Sequence, residues 1–212
     1  MTMKLYMVPA APNPTKVMLY VAERAAVGDA LPIETVLVNT LKGEQRSPEH
    51  LARNPFGTLP VLELDDGSYL VESLGIIMYL EERFSAGALL PDGIEDRARA
   101  RELERIVEQR VALPMSRYVH ATNSPLGLPQ DPKAAAEIEA SLPAAMSYLE
   151  SLLADGRAHL LGDNVSLADC TLQSGCQFAR FGKASLLGGY PLLEAWDQRY
   201  RERPAAQKVL KF

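Results

Sequence analysis

The chain has 212 residues and a formal net charge of -5; apolar residues make up 47% and charged residues 23%. That balance is ordinary for a soluble globular protein able to bury a sizeable core. It argues against a nucleic-acid surface, which needs a basic stripe, and no run approaches the ~18 apolar residues of a membrane span.

The first residues, Met1-Thr2-Met3-Lys4-Leu5, lead straight into a strand-like pattern with no apolar leader, so a cytoplasmic protein is expected. Lys4 to Val8 reads as a strand and Pro14 to Ala26 as a helix, with Asn13 as N-cap and Pro14 in the first turn. Ile33 to Val38 is rich in β-branched residues and reads as a second strand. Ser47-Pro48-Glu49-His50-Leu51 is a short capped helix. Val61 to Leu64 and Tyr69 to Val71 form a hairpin around Asp65-Asp66-Gly67-Ser68. Ser73 to Phe84 is a helix with Leu74, Ile77, Met78 and Leu80 on one face. The order β-α-β-α-β-β-α calls for one parallel and one antiparallel pairing.

After Phe84 the pattern changes. Ser85-Ala86-Gly87 and Pro91-Asp92-Gly93 bracket a linker, which divides the chain into residues 1–84, a linker 85–93 and an all-helical part 94–212. Leu103, Ile106, Val107, Arg110 and Leu113 keep helical spacing. Asp131-Pro132 opens a helix bearing Ile138, Leu142, Ala145, Leu149 and Leu152, with a kink expected at Pro143. Ser166-Leu167-Ala168-Asp169 starts a third helix with Asp in the capping-box position, and Pro191, Leu192, Trp196 and Tyr200 outline a fourth. A cleft between the two parts is the default ligand site.

The usual catalytic signatures are missing. There is no G-x-S-x-G, Walker loop or G-x-G-x-x-G. His50, His120 and His159 are scattered singly, so no metal is expected. Cys170 and Cys176, six apart, fit neither a redox nor a ligand spacing and read as buried small hydrophobes.

The block "NPFGTLPVLELDDGSYLVESLGIIMYLEERF" places Asn54-Pro55, Gly57, Leu59-Pro60-Val61-Leu62 and Glu72-Ser73 in one order. In this the chain resembles the glutathione transferase superfamily. The resemblance spans nearly the whole chain and is most specific over residues 54–84. It implies a thioredoxin-like βαβαββα domain followed by a helical bundle. It also implies glutathione as co-substrate without a metal, a small apolar electrophile, and a homodimer.

Residue by residue, the resemblance makes Pro60 a cis-proline; alone, it would be a proline opening an edge strand. The Leu59 backbone would then pair with an extended peptide, as glutathione is. Ser73 alone is a good N-cap; beside Glu72 at a helix N-terminus it implies a seat for the γ-glutamyl carboxylate, with Glu72 facing the ligand's ammonium group. Gln45, and less directly Lys42, are matched to the glycyl end; a solvated polar loop explains them equally well. For the electrophile, Ala11, Met115, Tyr118 and Phe178 are the candidates, each otherwise a core residue. The arginines Arg97, Arg99, Arg101, Arg105 and Arg110 suit either a subunit contact or a solvated face.

The loop "VPAAPNPTKV" has to help ionise the thiol, yet no Ser or Cys occurs from Met1 to Lys42, which removes the serine and cysteine versions of the enzyme. The loop resembles the nu-like and yeast-prion-like members, whose Thr-Pro-Asn loop brings an asparagine to the sulfur; Ala11 replaces the threonine and Asn13 is kept. Asn13 is therefore the catalytic candidate and also a glutathione contact, through its amide or the helix end it caps. Tyr6 and Thr15 remain as alternatives, and Lys16 reads as a solvated helix residue. The leading function is glutathione conjugation. A glutathione-dependent disulfide or peroxide reductase, or a non-catalytic glutathione-binding module, are the other readings.

Overall fold

The structure is a computed structural model in which residues 2–212 are described. Strand β1 (Met3–Met7) is followed by α1 (Pro12–Ala26), β2 (Ile33–Leu37), α2 (Pro48–Arg53), β3 (Val61–Glu63), β4 (Tyr69–Val71) and α3 (Ser73–Arg83). The sheet order is β2-β1-β3-β4. β1 pairs parallel with β2, Met3 opposite Ile33, and antiparallel with β3, Tyr6 opposite Val61; β4 closes the hairpin with Val71 opposite Val61. The strand–helix alternation and the Gly67 turn thus fold as their patterns require.

Side chains alternate across the sheet. Leu5 and Leu62 point to one face, into a core with Val17, Leu19 and Tyr20 of α1 and Ile76, Ile77 and Leu80 of α3. Tyr6, Val38 and Val61 cluster on the other face, where the Arg53 guanidinium of α2 lies 4.3 Å from the Tyr6 ring centre.

The remaining elements are helical: α4 (Ile94–Val107), a π-helical turn (Glu108–Ala112), α5 (Leu113–Thr122), α6 (Pro132–Ser141), α7 (Pro143–Leu152), α8 (Leu167–Phe181), α9 (Pro191–Arg201) and α10 (Pro204–Val209). α8 is the central helix, buried from Leu167 to Ala179. Its capping aspartate, Asp169, accepts from the Ser166 N–H (2.9 Å) and hydroxyl (2.6 Å), and also from the Leu160 N–H (3.0 Å) and the Trp196 indole (2.9 Å). One buried carboxylate therefore starts α8 and fixes α9 to it. Cys170 and Cys176 are free and buried.

The kink expected at Pro143 is present: α6 ends at Ser141, Leu142 keeps helical backbone angles (φ -74°, ψ -36°), and α7 resumes at Pro143, whose missing N–H interrupts the ladder. Three other local expectations are corrected. A short helix, α10, follows the fourth expected one. α1 begins two residues early, with Ala11 as an extended N-cap and Pro12 in the first turn; Pro12 suits that position as well as Pro14 does, so Asn13 lies inside the helix and caps nothing. Lys16 is not solvated: it is 1% exposed and its ammonium pairs with Glu104 (3.3 Å) and Glu108, while Glu104 also accepts from the Thr171 hydroxyl (3.0 Å). A cation in the interior needs such partners, and these lie 88 and 92 residues away.

Candidate active site

The N-termini of α1 and α3 approach each other. Ser73 opens α3, and the residue before it, Glu72, is the N-cap with φ of +70° and makes no side-chain cap bond. Ser73 is thus the first helical residue and not the cap, which leaves its hydroxyl free for another partner. That hydroxyl lies 3.4 Å from Asn13 Oδ1 across 60 residues of sequence. Ala10, just ahead of the α1 cap, also has positive φ, at +68°. Left-handed conformations at residues other than glycine cost free energy and gather at functional sites; here one precedes each of the two helix ends.

The helix ends differ in their donors. In α3 the Ser73, Leu74 and Gly75 N–H groups head the helix, and the Ile76 N–H returns to the Glu72 carbonyl (3.0 Å). In α1, Pro12 and Pro14 have no N–H and the Thr15 N–H returns to the Ala11 carbonyl (3.0 Å). Within the first turn of α1 the Asn13 N–H is therefore the free donor, and its side chain is exposed.

Between these ends runs the segment 54–60, and α2 holds it. His50 is 1% exposed, its Nε2 3.1 Å from the Thr58 carbonyl; the Asn54 amide donates to the same carbonyl (3.0 Å) and to the Thr58 hydroxyl (2.9 Å). The Phe56 N–H donates to Asn54 Oδ1 (3.0 Å). The next peptide bond but one, Leu59-Pro60, is cis, and Leu59 is half-buried. His50 and Asn54 so fix the backbone that precedes β3. No sequence motif singles out His50; its place in the capped turn of α2, eight residues before Thr58, is the one hint.

The other candidates are dispersed. Gln45 is half-buried, and its Oε1 is buried with no partner among the described residues, whereas Lys42 is exposed. Tyr6 of β1 is buried with Val38 and Val61 and donates to Glu63 (2.6 Å); burial and that hydrogen bond push its phenol up to about 12. Thr15 is buried, its hydroxyl receiving the Gln177 amide (3.1 Å). Both hydroxyls are committed elsewhere. Met115 and Phe178 lie inside the helical core, Phe178 against the His120 ring, whose imidazole is lowered by burial. Tyr118 and Ala11 are half-exposed. A cavity of about 450 Å³ opens at the opposite end of α1, against the linker and the loop Leu161 to Ser166, away from these residues.

A mixed β2-β1-β3-β4 sheet with a cis-proline before β3, joined to an all-helical part, defines a thioredoxin-like domain carrying a helical bundle. Residues 5–88 match the family model for the glutathione S-transferase N-terminal domain, and residues 122–211 that for the C-terminal domain. The chain is 30% identical to Glutathione S-transferase 2 of Saccharomyces cerevisiae over 99% of its length and 90% of the yeast protein's. It is 34% identical to Glutathione S-transferase 1 of Zea mays over 83% of each. A solved glutathione S-transferase domain-containing protein from Marinobacter aquaeolei superposes with a TM-score of 0.83 at 31% identity, covering 96% of this chain and 99% of that one. The chain belongs to the glutathione S-transferase family and is an enzyme of that class. No helix among the described residues is long and apolar enough to cross a membrane.

Proposed function

We propose that the protein binds glutathione between the α3 and α1 helix ends and promotes attack of its thiolate on a small apolar electrophile in the cleft between sheet and bundle. The observation that carries this is the approach of Asn13 to Ser73, 3.4 Å apart, beside the Leu59 edge. In this reading the γ-glutamyl carboxylate sits at the head of α3, taking the Ser73 hydroxyl and the free N–H groups. Glu72 faces the ligand's ammonium group. The cysteinyl unit pairs with the Leu59 backbone as an added strand. The glycyl end lies toward Gln45, whose side-chain amide N–H can donate to its carboxylate, and toward Lys42.

The sulfur then lies at the head of α1. A free thiol has a pKa near 8.5, and each unit of lowering corresponds to about 1.36 kcal/mol of preferential stabilisation of the thiolate. The Asn13 N–H and the positive helix end supply it. The thiol proton passes to solvent, the thiolate forms a C–S bond to the electrophilic carbon, and the bond to the leaving group breaks with its electron pair. Position supplies much of the rate.

Enzyme-bound disulfide chemistry finds no support, since Cys170 and Cys176 are buried and burial pushes both thiols up. The same reading makes the protein a cytoplasmic homodimer, with domains at 1–84 and 94–212 and a linker at 85–93. α3 ends at Arg83 and α4 begins at Ile94. Arg99, Arg101, Arg105 and Arg110 are exposed on the outer rod of the bundle, where a partner subunit can meet them. Calorimetric titration with glutathione, together with conjugation assays on aromatic and allylic electrophiles, tests the proposal. Binding with turnover is expected; absence of both overturns it, and tight binding without turnover leaves a binding module.

A further inference from the structure

The cavity of about 450 Å³ at the tail of α1 takes no part in the glutathione reading. Three separate stretches of chain enclose it: the end of α1, the linker from Gly87 to Pro91 and the loop from Leu161 to Ser166. Arg203, just ahead of α10, completes the lining. Its volume is in the range that holds a small organic molecule, and a junction between two parts of a chain is a common place for such a site. The proposed sulfur position is at the other end of α1. From the Ala11 cap to the Val27 cap that helix is about 24 Å long at 1.5 Å per residue.

Both long walls are fixed from behind. Arg24 of α1 is wholly buried, and its guanidinium donates to the Phe84 carbonyl and to the Ala86 carbonyl (2.6 Å). Glu81 of α3 accepts from the Leu89 N–H (2.9 Å) and the Leu90 N–H (3.0 Å). Gly87, with φ of +74°, passes Asp29 so closely that an added Cβ would lie 2.9 Å from the Asp29 Cβ. On the opposite wall, Asp169 holds the N–H groups of Leu160 and Ser166, which bracket the loop. The cavity is thus formed before a ligand arrives, which lowers the ordering cost of binding.

The lining is apolar at Val27, Leu89, Leu90, Pro91, Leu161 and Val165. Its polar part is short of donors. The Arg203 guanidinium spends two N–H groups on Glu23, Nε to Oε1 (3.0 Å) and Nη2 to Oε2 (2.7 Å), so that this pair is neutral as a whole. The Leu89 and Leu90 N–H groups are already held by Glu81. Acceptors are in excess. Asp163 is exposed, and its carboxylate has no hydrogen-bond or ion-pair partner among the described residues; Arg157, whose charge it feels, is paired with Asp155 (2.6 Å). The carbonyls of Gly87, Ala88, Leu89 and Leu90 accept no hydrogen bond among the described residues either. With Glu23 and Asp163 against Arg203, the lining carries one net negative charge.

We propose that this cavity is a second binding site, for an organic ammonium ion with an apolar body, of the arylalkylamine kind. An ammonium group brings three donors and no acceptor, which matches the Asp163 carboxylate and the free linker carbonyls. The apolar body covers Leu89, Pro91 and Leu161 and removes their surface from water. An anion meets the reverse: Asp163 repels it, and the one guanidinium is already held by Glu23. A ligand here touches α1, the linker and the bundle loop at once, so its binding fastens the two parts of the chain to each other. It binds the folded chain and therefore raises the unfolding temperature with its concentration. The site stands whether or not glutathione sits at the α1 head.

The test is calorimetric titration of the full chain at neutral pH with 4-phenylbutylamine and with 5-phenylpentanoate, which have similar apolar bodies and opposite charge. The amine is expected to bind and the carboxylate to bind more weakly. Two variants at exposed positions locate the site. Asp163→Asn should raise the Kd of the amine roughly two- to fivefold, the size of a partly exposed ion pair. Val27→Trp, which places a large ring at the rim, should abolish amine binding. Saturating amine should leave the glutathione Kd unchanged. No binding of the amine, equal or tighter binding of the carboxylate, or an amine affinity untouched by both variants overturns the inference. None of these results bears on glutathione binding, which its own titration decides.

Discussion

Two helix ends meet at the proposed site, and they are built on opposite lines. The α3 end is rich in donors: three N–H groups, a serine hydroxyl and a cap whose own side chain makes no cap bond. The α1 end is poor in them: an alanine cap, two prolines within three residues, and Asn13 between. The first resembles an anchor for a fixed charge, because a carboxylate needs several strong donors when it leaves water. The second suits a thiolate, which is large and weakly solvated and must be released to react. Under the proposed function, binding and activation are divided between the two helices, so that each should respond to substitution without the other.

The largest effect should come from behind the α1 end. Replacing Lys16 by Met leaves Glu104 and Glu108 facing each other without their shared cation, with Glu104 wholly buried. Breaking a buried pair in this way costs about 3–5 kcal/mol, read as a fall in the urea-unfolding free energy. A loss under ~1 kcal/mol would mean that α1 is held without this contact. Ser73→Ala should come next, but in binding. A hydrogen bond to a charged group is worth about 1.5–3 kcal/mol, so the calorimetric Kd for glutathione should rise roughly 10- to 150-fold. The thiol pKa in the complex should stay where it was, and a matching shift in it would deny the division of labour between the helices.

A smaller effect is expected at His50. Its replacement by Leu keeps the volume and leaves the Thr58 carbonyl to Asn54 alone. Loss of one neutral hydrogen bond costs about 0.5–1.5 kcal/mol, so the KM for glutathione should rise roughly two- to tenfold while the KM for the electrophile holds. His50→Gln, which can restore an N–H near the same carbonyl, should recover most of it. If both KM values rise together, α2 supports the fold at large and not the Leu59 edge.

The difference between the helix ends also marks what the sequence made legible. Glu72, Ser73, Leu59 and Pro60 stand in one ordered block, and strand alternation with a glycine turn places their elements, but the cis bond at Pro60 followed from the family resemblance and not from local pattern. The head of α1 was harder, because Pro12 and Pro14 both satisfy the rule for a first-turn proline, and asparagine at 13 is by type a better cap than the alanine at 11 that holds the place. The alternative of Ser73 as the cap stood open for a similar reason: serine is a preferred cap, and nothing local says that Glu72 takes that place with positive φ. The burial of Lys16 was beyond local reasoning, since its partners lie 88 and 92 residues away. The same holds for Phe181 and Phe212, whose rings meet across 31 residues of sequence. Cys170 and Cys176 were legible from spacing alone.

The finest test separates the Asn13 side chain from its N–H. Asn13 Oδ1 lies 3.4 Å from the Ser73 hydroxyl, so the side chain is turned toward the anchor, while its N–H heads α1. Asn13→Ala removes the amide and keeps the N–H and the helix end. If helix and backbone activate the sulfur, the thiol pKa in the glutathione complex, read from thiolate absorbance against pH, should move by less than about 0.3 unit, roughly 0.4 kcal/mol by the usual conversion. Pro12→Ala should act the other way. It adds an N–H to the first turn, and a charge near a helix end is worth about 0.3–1 kcal/mol, so the pKa should fall by roughly 0.2–0.7 unit. A rise of a full unit in Asn13→Ala, with no fall in Pro12→Ala, would assign activation to the amide side chain and make the two helix ends alike after all, each acting through a polar side chain.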